Sequence, residues 1–150
     1  MEISPKEQTL LRQEIQAFLA GAKDIDTKGR YAELLRAVDA ADIPEGQVRL
    51  LEQMLETGLE GGRIRLSYGP DGEQVFIRVY QKTPKGKAVQ NSIAEVNQAL
   101  QVLQRHVIEE VAFAVRGPGG YRLVIDTDRC KVTVGVDREG LRVEGLDVGI

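Results

Sequence analysis

The chain has 150 residues, of which 42% are hydrophobic and 29% are charged. A chain of this length can bury a real core, and its composition excludes collagen-like, low-complexity and wholly disordered proteins. Twenty Lys and Arg residues against 23 Asp and Glu residues leave a net charge of −3. This is not the charge of a protein coated in positive residues for nucleic acid or anionic lipid. These figures predict a soluble protein of mixed α and β structure.

The single cysteine, Cys130, allows neither an internal disulfide nor a zinc site built from cysteines. Residues 1–7 lack the basic segment and apolar stretch of a secretory signal. No apolar run approaches the ~20 residues that a membrane-spanning helix needs. We therefore expect a cytoplasmic protein that does not enter a membrane.

The first 60 residues predict three short helices. Residues 4–7, Ser-Pro-Lys-Glu, form a capping box with Pro at the first helical position, and Gly21 is a plausible end of that helix. A second helix follows the polar link 23–29, and Pro44 separates it from a third, which ends near the glycine pair 61–62. Each predicted helix carries apolar residues at helical spacing.

After residue 62 the apolar period changes from about 3.6 residues to about two. The alternation in 63–80, interrupted by Gly69-Pro70-Asp71-Gly72, predicts a β-hairpin. A helical period returns over 89–107. The rest of the chain predicts a four-stranded antiparallel meander, because its connections are short; the strands are expected at 110–116, 121–126, 131–136 and 141–146.

The expected fold is therefore α+β, with three N-terminal helices, a β-hairpin, a long amphipathic helix and the meander, in the order ββαββββ after the helices. Six strands would form one sheet, covered on one face by the long helix and some of the N-terminal helices. Residues 1–60 would be a helical subdomain and residues 61–150 a sheet domain, unless the whole chain is one continuous domain.

Few residues offer catalytic or metal chemistry. There is one histidine and no Gly-x-Ser-x-Gly turn to present a serine. We expect His106 to contact the last carbonyls of the long helix and Cys130 to be a small buried or half-buried side chain. We expect Asp126 and Asp128 to serve a turn rather than a metal. Glu109 and Glu110 would point to opposite faces of a strand. No catalytic residue, cofactor or metal is predicted.

The charge is unevenly distributed. Residues 1–60 hold seven basic and twelve acidic residues (−5), residues 61–87 six and two (+4), and residues 88–150 seven and nine (−2). Strand alternation would place arginines and aromatic residues on the open face of the sheet. The predicted binding residues, including three lysines after the hairpin, are Arg63, Arg65, Arg78, Phe76, Tyr80, Lys82, Lys85, Lys87, Arg122, Lys131 and Arg142.

Two interpretations of this face are open. Arginines beside flat rings are typical of platforms that stack single-stranded nucleic acid. Alternatively, the arginines pair across strands with Glu144 or Asp126, and Phe76 and Tyr80 cover arginine stems or meet a partner protein.

Residues 30–105 resemble winged-helix regulators of the multiple-antibiotic-resistance type in the order of their parts. Residues 32–38 (AELLRAV) and 47–58 (QVRLLEQMLETG) resemble the two helices of a helix-turn-helix, 63–80 the wing, and 83–88 (TPKGKA) the segment that follows it. The resemblance implies DNA binding, with the second helix in the major groove and base contacts from Gln47, Arg49 and Gln53.

These observations favour a non-enzymatic interaction or regulatory protein that binds a protein partner through an exposed sheet face or its acidic helices, or that associates with itself through a sheet edge. The alternative is nucleic-acid binding, by the winged-helix-like half or the Arg-rich face. A third possibility is an enzyme with a cleft around His106, Glu109 and Asp126.

Overall fold

A computed structural model describes residues 1–149 of the chain. It divides into two compact units, Met1–Gly86 and a second that begins at Lys87. The helices are α1 (Pro5–Gly21), α2 (Ile25–Asp39), α3 (Glu45–Glu60), α4 (Arg63–Lys82) and α5 (Pro84–Leu100), followed by a short 3-10 helix (Gln101–Leu103). The strands are β1 (Ile108–Gly117), β2 (Gly120–Thr127), β3 (Cys130–Asp137) and β4 (Gly140–Val148).

The three predicted N-terminal helices are confirmed. Helix α1 begins with the expected capping box: the Ser4 side chain accepts from the Glu7 amide at 3.3 Å, and the Glu7 carboxylate accepts from the Ser4 amide at 2.8 Å. Helix α2 begins earlier than expected, at Ile25, because Asp24 caps it by accepting from the Thr27 amide.

The predicted hairpin at 63–80 is wrong, because these residues form helix α4. Gly69 interrupts α4 with φ 72° and ψ 178°, and Pro70 then opens a second helical segment, where a missing N–H costs nothing. The Gly-Pro-Asp-Gly motif is therefore a kink between two helical segments rather than a turn between two strands. In the second segment Gly72, Val75, Phe76 and Val79 are buried at helical spacing.

The first unit closes around one hydrophobic core. Its centre holds side chains that are completely shielded, including Leu11, Leu34, Leu51 and Phe76. All four helices contribute to this core, so residues 1–82 bury the apolar stripe of each helix against the others.

The long helix of the second unit is shorter than predicted. Helix α5 ends at Leu100 and the 3-10 helix at Leu103, before the expected limit at 107. Arg105 then adopts a positive φ of 67°, which a continuing right-handed helix does not allow.

The predicted meander is confirmed as one antiparallel sheet in the order β1-β2-β3-β4. The expected six-stranded sheet is wrong, because residues 63–80 contribute no strand. Strand alternation gives the sheet an apolar face and a polar face. The register places on the apolar face Val111, Phe113, Val115, Tyr121, Leu123, Ile125, Val132, Val134, Val136, Leu141, Val143 and Leu146. The polar face carries Glu110, Arg116, Arg122, Asp126, Lys131, Asp137, Arg142 and Glu144.

Within the described residues, no helix is both long and apolar enough to cross a membrane.

Candidate protein interface on the edge of the sheet

The structure does not bring the predicted binding residues together on one sheet face. Arg63, Arg65, Phe76, Arg78 and Tyr80 all lie on helix α4 in the first unit. The predicted platform that joined them to the sheet residues Arg122, Lys131 and Arg142 is therefore wrong. The reason is local: the segment 63–80 is helical, so its side chains do not alternate across a sheet.

Four of the five basic residues that were predicted to bind and lie in the first unit contact carboxylates. Arg63 donates to the buried carboxylate of Glu14 and lies over the ring of Phe18, and Arg65 pairs with Glu73 at 3.2 Å. Lys82 reaches Glu7 at 2.7 Å and Lys85 reaches Glu56 at 3.0 Å, whereas Arg78 is exposed. Lys87, the first residue of the second unit, is also exposed. The +4 segment is thus largely neutralised by acidic residues of the other helices.

The buried carboxylates of this unit accept hydrogen bonds from neighbouring groups. Tyr68 donates its hydroxyl to Glu14 at 2.8 Å, and the Lys85 amide donates to Glu52 at 2.8 Å. Burial alone would raise the pKa of Glu7, but the hydrogen bonds from Lys82 and Ser4 outweigh it and lower that pKa. These hydrogen bonds stabilise the buried carboxylates of the helical unit.

The two aromatic residues of the predicted binding set, Phe76 and Tyr80, also make contacts within this unit. Phe76 is fully buried, and its ring lies 5.0 Å from that of Tyr68. Tyr80 donates its hydroxyl to Glu56 at 3.2 Å. Burial, followed by this hydrogen bond to a carboxylate, raises the pKa of Tyr80 to about 12. Phe76 therefore offers no free face for base stacking, and Tyr80 is partly buried against the core of this unit.

Gln47, Arg49 and Gln53, the base-contacting residues that the resemblance implies, line a surface cavity of about 370 Å³ together with Arg30 and Glu33. Gln47 donates to Glu33 at 3.2 Å. The segment expected to form the wing is helix α4.

On the polar face of the sheet, arginines gather around one carboxylate. Glu144 accepts from Arg122 at 2.9 Å and from Arg116, and Arg142 lies 3.8 Å away while also pairing with Asp137 at 2.7 Å. The hydrogen bond from Arg122 and the neighbouring arginine charges lower the pKa of Glu144.

Lys131 pairs with Asp126 at 3.7 Å on the same face. Arg122 and Lys131 thus have the cross-strand partners that the second interpretation of the sequence named, Glu144 and Asp126.

The apolar face is covered over β3 and β4. Val96 of α5 is buried together with Val132 and Val134 of β3. Partly buried apolar residues from both sides complete this cluster, namely Leu100, Val102, Leu103, Leu123, Leu141 and Val143. This part of the face is the core of the second unit.

The same face is bare over β1 and the start of β2. Val111 is 56% exposed, Phe113 71%, Val115 76% and Tyr121 51%. Exposed side chains of this size present on the order of 400 Å² of contiguous apolar surface, and patches that large on a monomer are often functional. We call these four residues the bare strip.

Strand β1 also has an unpaired backbone edge. Among the described strands, it lies at the end of the sheet and pairs with β2 alone. Among residues 1–149, no further backbone hydrogen bond reaches its outer side. The edge and the bare strip belong to the same strand, so a protein that adds a strand there would meet both.

The remaining candidates serve local structure. The His106 amide donates to the Leu103 carbonyl, and its Nδ1 lies 3.4 Å from Oδ1 of Asp128. That Asp128 oxygen accepts from the Val107 amide at 3.2 Å, as a turn residue does. Asp126 contacts Lys131 instead, and Cys130 is buried as predicted.

In the part of the chain that the structure describes, no three His, Cys, Asp or Glu side chains are grouped to hold a metal ion.

The sequence reasoning missed the bare strip. It predicted a strand at 110–116 but gave Val111, Phe113 and Val115 no role. A signal was present: residues 110–116 read Glu-Val-Ala-Phe-Ala-Val-Arg, which is nearly the same in both directions.

Comparisons with protein-family models, curated proteins and solved structures found no match for this chain. The resemblance to winged-helix regulators therefore stays a prediction.

Proposed function

We propose that the chain is a non-enzymatic interaction protein whose second unit binds another polypeptide by adding a strand to the outer edge of β1. The observation that supports this most directly is that β1 combines an unpaired edge with the bare strip. Main-chain hydrogen bonds would supply affinity, and the alternating side chains would supply specificity.

The central part of strand β1 lacks the usual protection of an edge. Natural edge strands avoid pairing by being short, by carrying Lys or Pro, or by a bulge. Strand β1 has ten residues without Lys or Pro. Its register with β2 shifts near each end, between Ile108 and Glu110 and between Val115 and Gly117, and is regular from Glu110 to Val115. The opposite edge strand, β4, has a register irregularity opposite Thr133 and Val134.

The bare strip defines the chemistry of the partner. Val111, Phe113, Val115 and Tyr121 carry no charge, so the occupant is expected to place apolar side chains beside them. A sheet edge recognises an extended backbone, so we propose a protein strand as the ligand rather than a small molecule.

Nucleic-acid binding receives less support from the arrangement. Phosphate-dominated affinity requires available cations. The arginines of the sheet are on the polar face and contact Glu144 or Asp137, whereas the bare strip has no basic side chain.

Site-specific photo-crosslinking in the cell that makes the protein tests this proposal. A crosslinking phenylalanine analogue at position 113 should give a discrete covalent product whose partner is identified by mass spectrometry. The matched control is position 124, which lies on the polar face of β2. Val115→Lys should remove the product while circular dichroism stays unchanged. The proposal fails if position 113 gives no discrete product, or if position 124 gives the same one.

A further inference from the structure

We infer that the strand received by β1 is β1 of a second copy of this chain, paired antiparallel with Phe113 opposite Phe113 of the partner. This inference rests on the proposed function, because it names the occupant of the same edge. Its basis is the segment Glu110-Val111-Ala112-Phe113-Ala114-Val115-Arg116, which is palindromic except at its ends, where the charges are opposite.

In antiparallel pairing about Phe113, residues that lie equally far before and after Phe113 face each other. Val111 faces Val115 of the second copy, Ala112 faces Ala114, and Glu110 faces Arg116. A two-fold axis produces such a self-complementary contact, in which every interaction occurs twice. Residues facing each other also lie on the same side of the joined sheets, so the two bare strips become neighbours.

The charge at one end of β1 is unbalanced within a single chain. Glu110 lies directly opposite Asp126 of β2 in the sheet register. Like charges in facing positions destabilise a sheet, and the cation that pairs with Asp126 is Lys131, at 3.7 Å. A cation on the open side of Glu110 would therefore be favourable, and in the inferred pairing it comes from the second copy's Arg116.

The other end of β1 has the opposite imbalance. Three arginines, at positions 116, 122 and 142, lie around the carboxylate of Glu144. Among residues 1–149, Arg142 alone of the three has a further acidic partner, Asp137. Arg116 lies on the outermost of these strands. Glu110 of the second copy would supply the missing negative charge at that edge.

Other registers lose this match. A shift of the pairing by two residues places Glu110 opposite Ala114 in one direction. In the other direction it places Glu110 opposite Pro118, which lies beyond the end of β1 and has no N–H to donate. A shift by one residue would turn the apolar face of one copy against the polar face of the other. Pairing about Phe113 places apolar residues opposite apolar residues and, in the same register, places Glu110 opposite Arg116.

Charge exchange tests both partner and register. Glu110→Arg and Arg116→Glu, made singly in the full chain, should each raise the Kd of the homodimer about tenfold or more, because like charges then face each other at both ends. Mixing the two single variants should give a heterodimer in which every end pair is again opposite in charge. The double variant should self-associate like the wild-type chain. Sedimentation velocity over a concentration series measures all four samples.

Cysteine pairing fixes the register independently. Ala112→Cys mixed with Ala114→Cys should form an intermolecular disulfide under mild oxidation, because these positions face each other in the inferred dimer. Ala112→Cys alone should crosslink much less. The native thiol of Cys130 is buried, so the wild-type chain gives the background level of disulfide formation.

The possible failures are distinguishable. A chain that stays monomeric at high concentration, or a dimer that ignores both charge variants, overturns this inference. If position 113 nevertheless crosslinks to a different protein, the proposed edge function stands and only the identity of the partner is wrong. If position 113 gives no discrete product, both proposals fail.

Discussion

Two phenylalanines show that the two units differ in how completely they bury apolar side chains. Phe76 in the helical unit is fully buried, whereas Phe113 in the sheet unit is 71% exposed. The helical unit packs the apolar stripes of four helices against one another. The sheet unit has one covering helix for a four-stranded face, and its buried cluster is correspondingly small. A helix covers the strands it lies over, so β1 keeps its side chains in solvent.

The treatment of charge follows the same division. The helical unit encloses Glu7, Glu14 and Glu52 and gives each a hydrogen-bond donor. The sheet unit keeps its ion pairs on an open face, where water weakens them. The first unit therefore gives its buried carboxylates hydrogen-bond donors, while the second has an excess of acidic groups at one end of β1 and an excess of arginines at the other.

The largest effect should come from the two phenylalanines themselves. Phe76→Ala removes a buried aromatic side chain and should lower the free energy of unfolding of the first unit by about 3–5 kcal/mol. Phe113→Ala, measured at a concentration where the chain is monomeric, should change stability by no more than about 0.5 kcal/mol. Chemical denaturation followed by circular dichroism checks both. Equal losses would contradict the contrast between a closed and an open unit.

A neighbouring pair distinguishes helix from strand at the start of α4. Ile64 is fully buried and Leu66 is 89% exposed. In a strand both would share one face, whereas in a helix they point about 200° apart. Ile64→Ala should therefore cost about 3 kcal/mol and Leu66→Ala less than about 0.5 kcal/mol. Similar costs at both positions, measured by the same denaturation, would favour the hairpin.

The buried carboxylate Glu14 should matter more than an exposed one. It accepts from Arg63 and Tyr68, so Glu14→Ala removes both hydrogen bonds and leaves the Tyr68 hydroxyl without its partner. We expect a loss of about 2 kcal/mol in unfolding free energy. Glu33→Ala, at an exposed position of α2, is the matched control and should stay within about 0.5 kcal/mol of the wild type.

The smallest effect appears at alkaline pH. The folded chain raises the pKa of Tyr80 from 10.0 to about 12, so the folded state holds its proton more tightly than the unfolded state. The resulting stabilisation is fully present below pH 10 and is lost as the pH rises toward 12. Tyr80→Phe should make the decline in stability over this interval shallower. A decline identical to that of the wild type would show that Tyr80 does not contribute.

The elements that the sequence predicted well are those with local signals. The capping box at Ser4, the break at Pro44 and the glycine turns of the meander are read from a few adjacent residues. Segment 63–80 was mispredicted because two periods coexist in it. Val75, Ile77 and Val79 alternate as in a strand, while Gly72, Val75, Phe76 and Val79 are spaced as in a helix. Packing against the other helices decides between them.

The candidate interface was less predictable than the fold. Exposure of Val111, Phe113 and Val115 depends on which strands the helix covers, and apolar residues at alternate positions do not reveal this. The positive charge around residue 63 was visible, but its neutralisation by Glu14 involves a contact 49 residues away in the chain. The palindrome at 110–116 was the one local clue to the interface.

The edge position of β1 divides its amide protons into two classes. Successive residues of a strand direct their N–H groups alternately toward one neighbour and the other. One set in β1 therefore points to β2, and the other points to solvent. Amide hydrogen exchange along this strand should consequently alternate between slow and fast from residue to residue. If a second copy pairs with the edge, exchange of the fast amide protons alone becomes slow as the protein concentration rises. Amide exchange along β1 would then measure formation of the dimer.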